Sequence, residues 1–184
     1  MASRSDSFAG PDLQKDLTPT GSTVFQLAFR LPYTSGFHFN IYMDNYFASQ
    51  QLMIMLRDLG IGAYGTAQVN GSAFPPDLED KRKNIPWNEV CGGSADPDGK
   101  VQGLQWQDNR SVHFLSTIYK LELEEGIVSE RKKPRSSSSN GPAIRRVFSS
   151  HERANIPIPA ITDGYNHYKV GVDVVDQHRS YYFT

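Results

Sequence analysis

At 184 residues the chain has room for one domain, or for one domain plus a loose insertion. Hydrophobic residues supply 38% and charged residues 21%, enough for a modest core, while 15 glycines, 11 prolines and a mean hydropathy of -0.50 put much of the chain in loops. The formal net charge of -1 excludes a global pull towards nucleic acid or membrane, so any affinity for DNA has to come from local patches.

Met1 to Pro19 show no hydrophobic period and read as a tail, and the first ten residues lack the apolar centre of a signal peptide. No run approaches the roughly 18 apolar residues of a membrane helix. The single cysteine, Cys91, rules out an internal disulfide and an all-cysteine metal site, so the expectation is a soluble intracellular protein without membrane contact. Val24, Leu27, Ala28 and Leu31 predict an amphipathic helix over 22–31, closed by Pro32. Phe37, Phe39, Ile41 and Met43 alternate onto one face and predict a strand with Asp44 at its carboxyl end. Leu52, Met55, Leu56 and Leu59 then make a helical stripe, with Gly60 suited to the C′ position, and 61–67 reads as a further short strand. Helix, strand, helix, strand in that order predicts an α/β layer with parallel neighbours.

Beyond Thr66 the texture loosens. The stretch 70–100 is rich in Gly, Pro, Asp and Lys, with turn signals at Pro75-Pro76, Ile85-Pro86 and Asp96-Pro97-Asp98-Gly99. Gly103 to Trp106 and Ser111 to Ile118 predict a hairpin turning at Asp108-Asn109. Glu130 to Pro142 reads as a charged, serine-rich flexible loop, 161–166 as a short helix, and 172–182 as another.

Three aspartates stand out chemically. Phosphodiester cleavage with two divalent metals, set about 4 Å apart, needs hard oxygen ligands converging from separate parts of the chain. A strand-end carboxylate such as Asp44 suits that, because ligands of open α/β sheets gather at the carboxyl ends of strands. By spacing alone a turn or capping aspartate is the commoner outcome. Asp173 and Asp176, three apart on the last predicted helix, share a face and could both meet a metal. By spacing alone a solvated acidic stripe at a helix amino terminus is the commoner outcome. Arg131, Lys132, Lys133, Arg135, Arg145 and Arg146 form a local basic cluster, read either as phosphate contacts or a nuclear import signal, or as a solvated loop.

An ordered set of motifs bears on these alternatives. Tyr42-Met43-Asp44-Asn45-Tyr46-Phe47-Ala48-Ser49 resembles the D-N-[WFY]-F-[TA]-S element of piggyBac-type transposases. Leu56-Arg57 to Gly60, then Gly65-Thr66-Ala67 and Asn70, are similar to the leucine helix and G-T-[VA]-R-x-N run of that family. Trp106, Asp108 and Val112 to Thr117 resemble its tryptophan strand and the strand after it. Pro159, Tyr165-Asn166 and Gly171-Val172-Asp173-Val174-Val175-Asp176-Gln177 resemble its P…Y-N-x-x-M-G-G-V-D-x-x-D-Q segment, with Lys169-Val170 in place of Met-Gly.

The resemblance implies an α/β, ribonuclease-H-like (retroviral-integrase-like) core, incomplete here and interrupted by a loop-rich, β-containing insertion. It divides the chain into a tail (1–19), the first part of the core (20–69), the insertion with its basic loop (70–154), and the last part of the core with the acidic helix (155–184). It also implies cleavage and strand transfer at transposon ends in double-stranded DNA by an aspartate triad with two Mg2+ (or Mn2+) ions. Asp44 and Asp173 match the second and third triad positions, and Asp176 a nearby acidic one. The first triad aspartate has no counterpart on a strand pattern before Asp44, since Asp12 and Asp16 lie in a stretch without apolar alternation. Weak or absent cleavage by this chain is therefore expected. A nuclear location and a homodimer accompany the resemblance. The competing expectation is a non-catalytic DNA-binding or relic protein derived from a transposable element.

Overall fold

A computed structural model describes residues 17–32, 37–69, 74–75, 85–119, 127–135 and 140–168. The first helix, α1 (Pro19–Phe29), begins where Thr18 accepts a hydrogen bond from the Gly21 amide (3.1 Å), with Pro19 supplying a pre-set φ at the first position. It starts earlier than the sequence suggests, and its buried face is Gly21, Phe25 and Ala28. Leu27, expected in the stripe, is 63% exposed. The shift follows from Phe25, the largest side chain available, taking the inward position.

Strand β1 (Asn40–Met43) delivers Asp44, and α2 (Gln50–Asp58) follows, capped by Ser49, whose hydroxyl accepts from the Leu52 amide (3.3 Å). Gly60, at φ +78, turns the chain into β2 (Gly62–Thr66), which pairs parallel with β1 as expected. Strands β3 (Val90–Ser94), β4 (Gln102–Gln107) and β5 (Ser111–Ser116) complete a five-stranded sheet in the order β1-β2-β5-β4-β3. The predicted hairpin is β4–β5. Its pairing to β2 through Tyr64↔Ser116 to Thr66↔Phe114 makes one continuous sheet across what the sequence divides into core and insertion.

The segment read as a flexible loop contains order. Ile127–Lys132 form β6, paired antiparallel with β7 (Arg153–Ile158) in a second, two-stranded sheet, and Gly141–Phe148 form helix α3. The β6 sequence has no apolar alternation to announce it, because its inward position is an arginine. Helix α3 is only eight residues long and anchors itself through Ile144 and Phe148, one turn apart and both buried. The predicted helix over 161–166 is α4 (Ala160–Tyr168). The terminal tail to residue 16, the serine run 136–139 and the helix expected over 172–182 lie outside the described residues. Among the described residues no helix is long and apolar enough to cross a membrane.

Strand alternation sends side chains to two different cores. Met43, Ala63 and Leu115 face α1 and α2, joining Phe25, Leu52, Met53 and Leu56. Tyr64, Leu104, Trp106 and Phe114 face the opposite way, meeting Ile144 and Phe148 of α3, Ile156 and Ile158 of β7, and Ile161 of α4. The sheet is thus covered on both faces, and β1, carrying Asp44, has a strand neighbour on one side only among the described residues.

Candidate active site at the carboxyl end of strand β1

Asp44 sits where β1 and β2 end together. Its Oδ1 accepts from the backbone amide of Asn45 (2.6 Å) and from the hydroxyl of Thr66 (3.3 Å), the last residue of β2. Its own carbonyl accepts from the amides of Phe47 (3.0 Å) and Ala48 (3.1 Å), which closes a turn before Ser49 caps α2. Gly65 lies under this turn: a Cβ there would stand 2.7 Å from the Met43 carbonyl oxygen and 3.2 Å from the Ala48 Cβ. The Gly-Thr pair of β2 therefore has two jobs, closeness from Gly65 and a hydrogen bond to the carboxylate from Thr66. The carboxylate is exposed, and both of these bonds fall on one of its oxygens. An exposed carboxylate oriented in this way fits the role of one oxygen ligand to a divalent cation. Among the described residues no group of three His, Cys, Asp or Glu side chains gathers around a metal position.

Asp173 and Asp176 lie outside the described residues. Helix α4, which precedes them in the chain, is described up to Tyr168. Tyr168, the last residue of α4, packs its ring 4.5 Å from that of Tyr42, two residues before Asp44 on β1. Tyr165 of the same helix meets Tyr64 edge-on at 5.7 Å, and Tyr119 meets Tyr64 at 5.5 Å. The Tyr64 hydroxyl donates to the Ile161 carbonyl at 2.6 Å, joining sheet to helix from inside the core. Burial first, then the neighbouring phenols of Tyr119 and Tyr165, push Tyr64 far above the usual tyrosine range. Burial also raises Tyr42, with help from Tyr119 and Tyr168, to about 12. The phenols of Tyr42 and Tyr64 thus stay neutral at physiological pH and serve as packing and hydrogen-bonding groups.

The basic cluster is divided by the fold. Arg131 points inward from β6, pairs with Asp108 at 2.8 Å and lies over the Trp106 ring at 4.7 Å, so its guanidinium is already engaged within the protein. Lys132 and Arg135 are exposed, as are Arg145 and Arg146 in the last turn of α3. Lys133 donates from its ammonium to the Ser149 carbonyl (2.7 Å) at the end of α3, where the helix dipole favours a cation. That bond ties the end of β6 to the turn of helix bearing Arg145 and Arg146. His38, which shares strand parity with Asp44, precedes β1 and so stands at the other end of the strand. Trp106 is buried and Trp87 packs near Phe148, both as core side chains.

Sequence reasoning missed the Asp44–Thr66 contact, the tyrosine cluster and the Arg131–Asp108 pair. The first had a signal, since parallel strands that end in register bring their terminal side chains together. The Arg131–Asp108 pair had none, because the strand pairing that turns Arg131 inward joins segments far apart in sequence.

Comparison with known proteins bears on the fold and the family. None of the curated proteins matches the chain. Among solved structures it is similar to a piggyBac transposase, determined by cryo-EM in a synaptic complex with hairpin DNA. The TM-score is 0.57 at 20% identity, covering 93% of this chain and 30% of that one. The likeness shows the fold, a ribonuclease-H-like α/β core, and the present chain spans less than a third of the length of that transposase. The profile of the family described as Transposase IS4 matches residues 5–184, and the chain belongs to that family.

Proposed function

We propose that the chain is a part of a piggyBac-type transposase core in which Asp44, with Asp173 and Asp176, holds Mg2+ or Mn2+ against a DNA phosphodiester at a transposon end. The observation that carries this reading is the ring contact between Tyr168 and Tyr42. Asp173 follows Tyr168 by five chain steps, a length that reaches about 17 Å at most. Helix α4 thus ends beside the strand that presents Asp44, and this supports the reading. Divalent ions bound there would neutralise phosphate charge and make a water, or a freed 3′ hydroxyl, a competent nucleophile. The protein's own share is positional. The Asn45 amide and the Thr66 hydroxyl fix one oxygen of Asp44, and the turn closed on the Asp44 carbonyl keeps the carboxylate at the strand end.

Within this chain two of the three triad positions carry matching aspartates, so cleavage by the chain on its own is expected to be weak: phosphoryl transfer depends on positioning and charge neutralisation. A second reading, DNA binding without cleavage, draws support from the exposed cations that Lys133 gathers around the end of α3. The nucleus is the proposed location under both.

Thermal denaturation with increasing Mn2+ separates the two. If Asp44 is a ligand, Mn2+ at about ten times its Kd raises the midpoint by roughly 4 °C, and Asp44→Asn removes the rise. A midpoint indifferent to Mn2+, or a rise that survives Asp44→Asn, sinks the metal site. Duplex binding that falls with salt but ignores Asp44→Asn then favours the second reading.

A further inference from the structure

The turn that holds Asp44 also displays an aromatic pair. Tyr46 is 69% exposed and Phe47 39% exposed, and their rings meet at 5.3 Å and 90°. Exposed aromatics scattered singly carry no message. These two are adjacent, perpendicular to one another, and mounted on a fixed support. The Phe47 and Ala48 amides bond back to the Asp44 carbonyl, Ala48 is buried, and Gly65 packs against it from β2. The turn that carries Tyr46 is therefore anchored two residues from the candidate metal ligand, and the Phe47 ring lies edge-on to that of Tyr46.

We infer that Tyr46 is a stacking platform for an unpaired nucleobase beside the phosphodiester presented to Asp44. The inference rests on the DNA-directed reading above and adds a positioning residue to it. Where the strand beside a presented phosphodiester is distorted or open, a base exposes an unsatisfied face. An aromatic ring offers that face a partner whatever the base, whereas a paired duplex offers it nothing. The polar rim of the phenol suits a surface that is wet until DNA arrives.

The test compares a DNA hairpin with unpaired loop bases, one of them 2-aminopurine, against a blunt duplex of the same stem. Wild-type protein, Tyr46→Ala and Tyr46→Trp are each measured for binding and for quenching of the aminopurine. The expected result is tighter binding to the hairpin than to the duplex. Tyr46→Ala should lose roughly tenfold on the hairpin, together with the quenching, and nothing on the duplex, while Tyr46→Trp keeps both. Equal affinity of the wild type for the two DNAs, no binding to either, or an equal loss on both with Tyr46→Ala overturns the inference. Should Tyr46→Ala unfold the chain, the Tyr46→Trp arm decides: loss of quenching with a folded tryptophan variant also overturns it. The Mn2+ measurement on Asp44→Asn stays independent. An Asp44-dependent shift without a Tyr46 effect removes the platform alone, and a Tyr46 effect without the shift removes the metal site alone.

Discussion

On one face of the five-stranded sheet the side chains arriving from α1 and α2 are aliphatic or methionine, apart from Phe25 and Phe29, and they come from a short stretch of chain. On the other face Tyr64, Trp106, Phe114 and Phe148 meet isoleucines from α3, β7 and α4, and the contributors are scattered from Tyr42 to Tyr165. The first face is a hydrophobic seal. The second is a partly polar junction, where hydroxyl groups have to find partners as the core closes. A core of the first kind is specified by pattern, and one of the second kind by long-range pairings. The candidate site lies at the strand end where both faces meet.

The sharpest way to break this contrast is to cut into the aliphatic side. Leu52 is fully buried beneath α2, and Leu52→Ala should cost about 3 kcal/mol, seen as a fall in the thermal midpoint of roughly 10 °C. A loss below about 1 kcal/mol would mean that the seal can collapse around the gap, and the contrast would weaken. On the aromatic side Tyr64→Phe keeps the ring and deletes the hydroxyl that reaches the Ile161 carbonyl. The expected loss is about 1 kcal/mol, with hydrogen exchange in α4 rising more than in α2. Uniform exchange in both helices would show that the hydroxyl does not tie α4 to the sheet.

The smallest expected effect appears in alkali. Tyr42 is raised from its ordinary 10.0 to about 12, so the folded state holds its proton longer than the unfolded chain does. Its contribution to stability is complete below about pH 10 and is lost as the pH climbs towards 12, because only the unfolded state ionises in that window. Partial exposure and solvent screening keep the change modest. Denaturant midpoints followed upward from neutral pH should therefore slope down in wild type and less steeply in Tyr42→Phe. Parallel slopes would show that burial does not hold the phenol neutral.

The aliphatic half was the more legible in sequence for the same reason that it is simple. The stripe Leu52, Met55, Leu56 and Leu59 announces α2, every member of it is buried, and alternation into Met43 announces the strand end where Asp44 stands. The helical period in α1 was visible but its phase was not, since Phe25 outcompetes Leu27 for the interior only once a sheet is there to receive it. On the other side Arg131 looks like a solvent-facing cation in a run of cations. Only the pairing of β6 with β7 turns it towards Asp108 and Trp106. Of the site itself, Asp44 could be read from its place after an alternating strand. Its support from Thr66 depended on the parallel register of two strands separated by a helix.

The four residues of β1, Asn40, Ile41, Tyr42 and Met43, carry no charge, and one margin of the strand has no strand beside it among the described residues. A strand margin without a neighbour can align an extended peptide, and natural sheets commonly guard such margins with lysine or proline. Among the described residues the strand that delivers the candidate ligand carries neither guard.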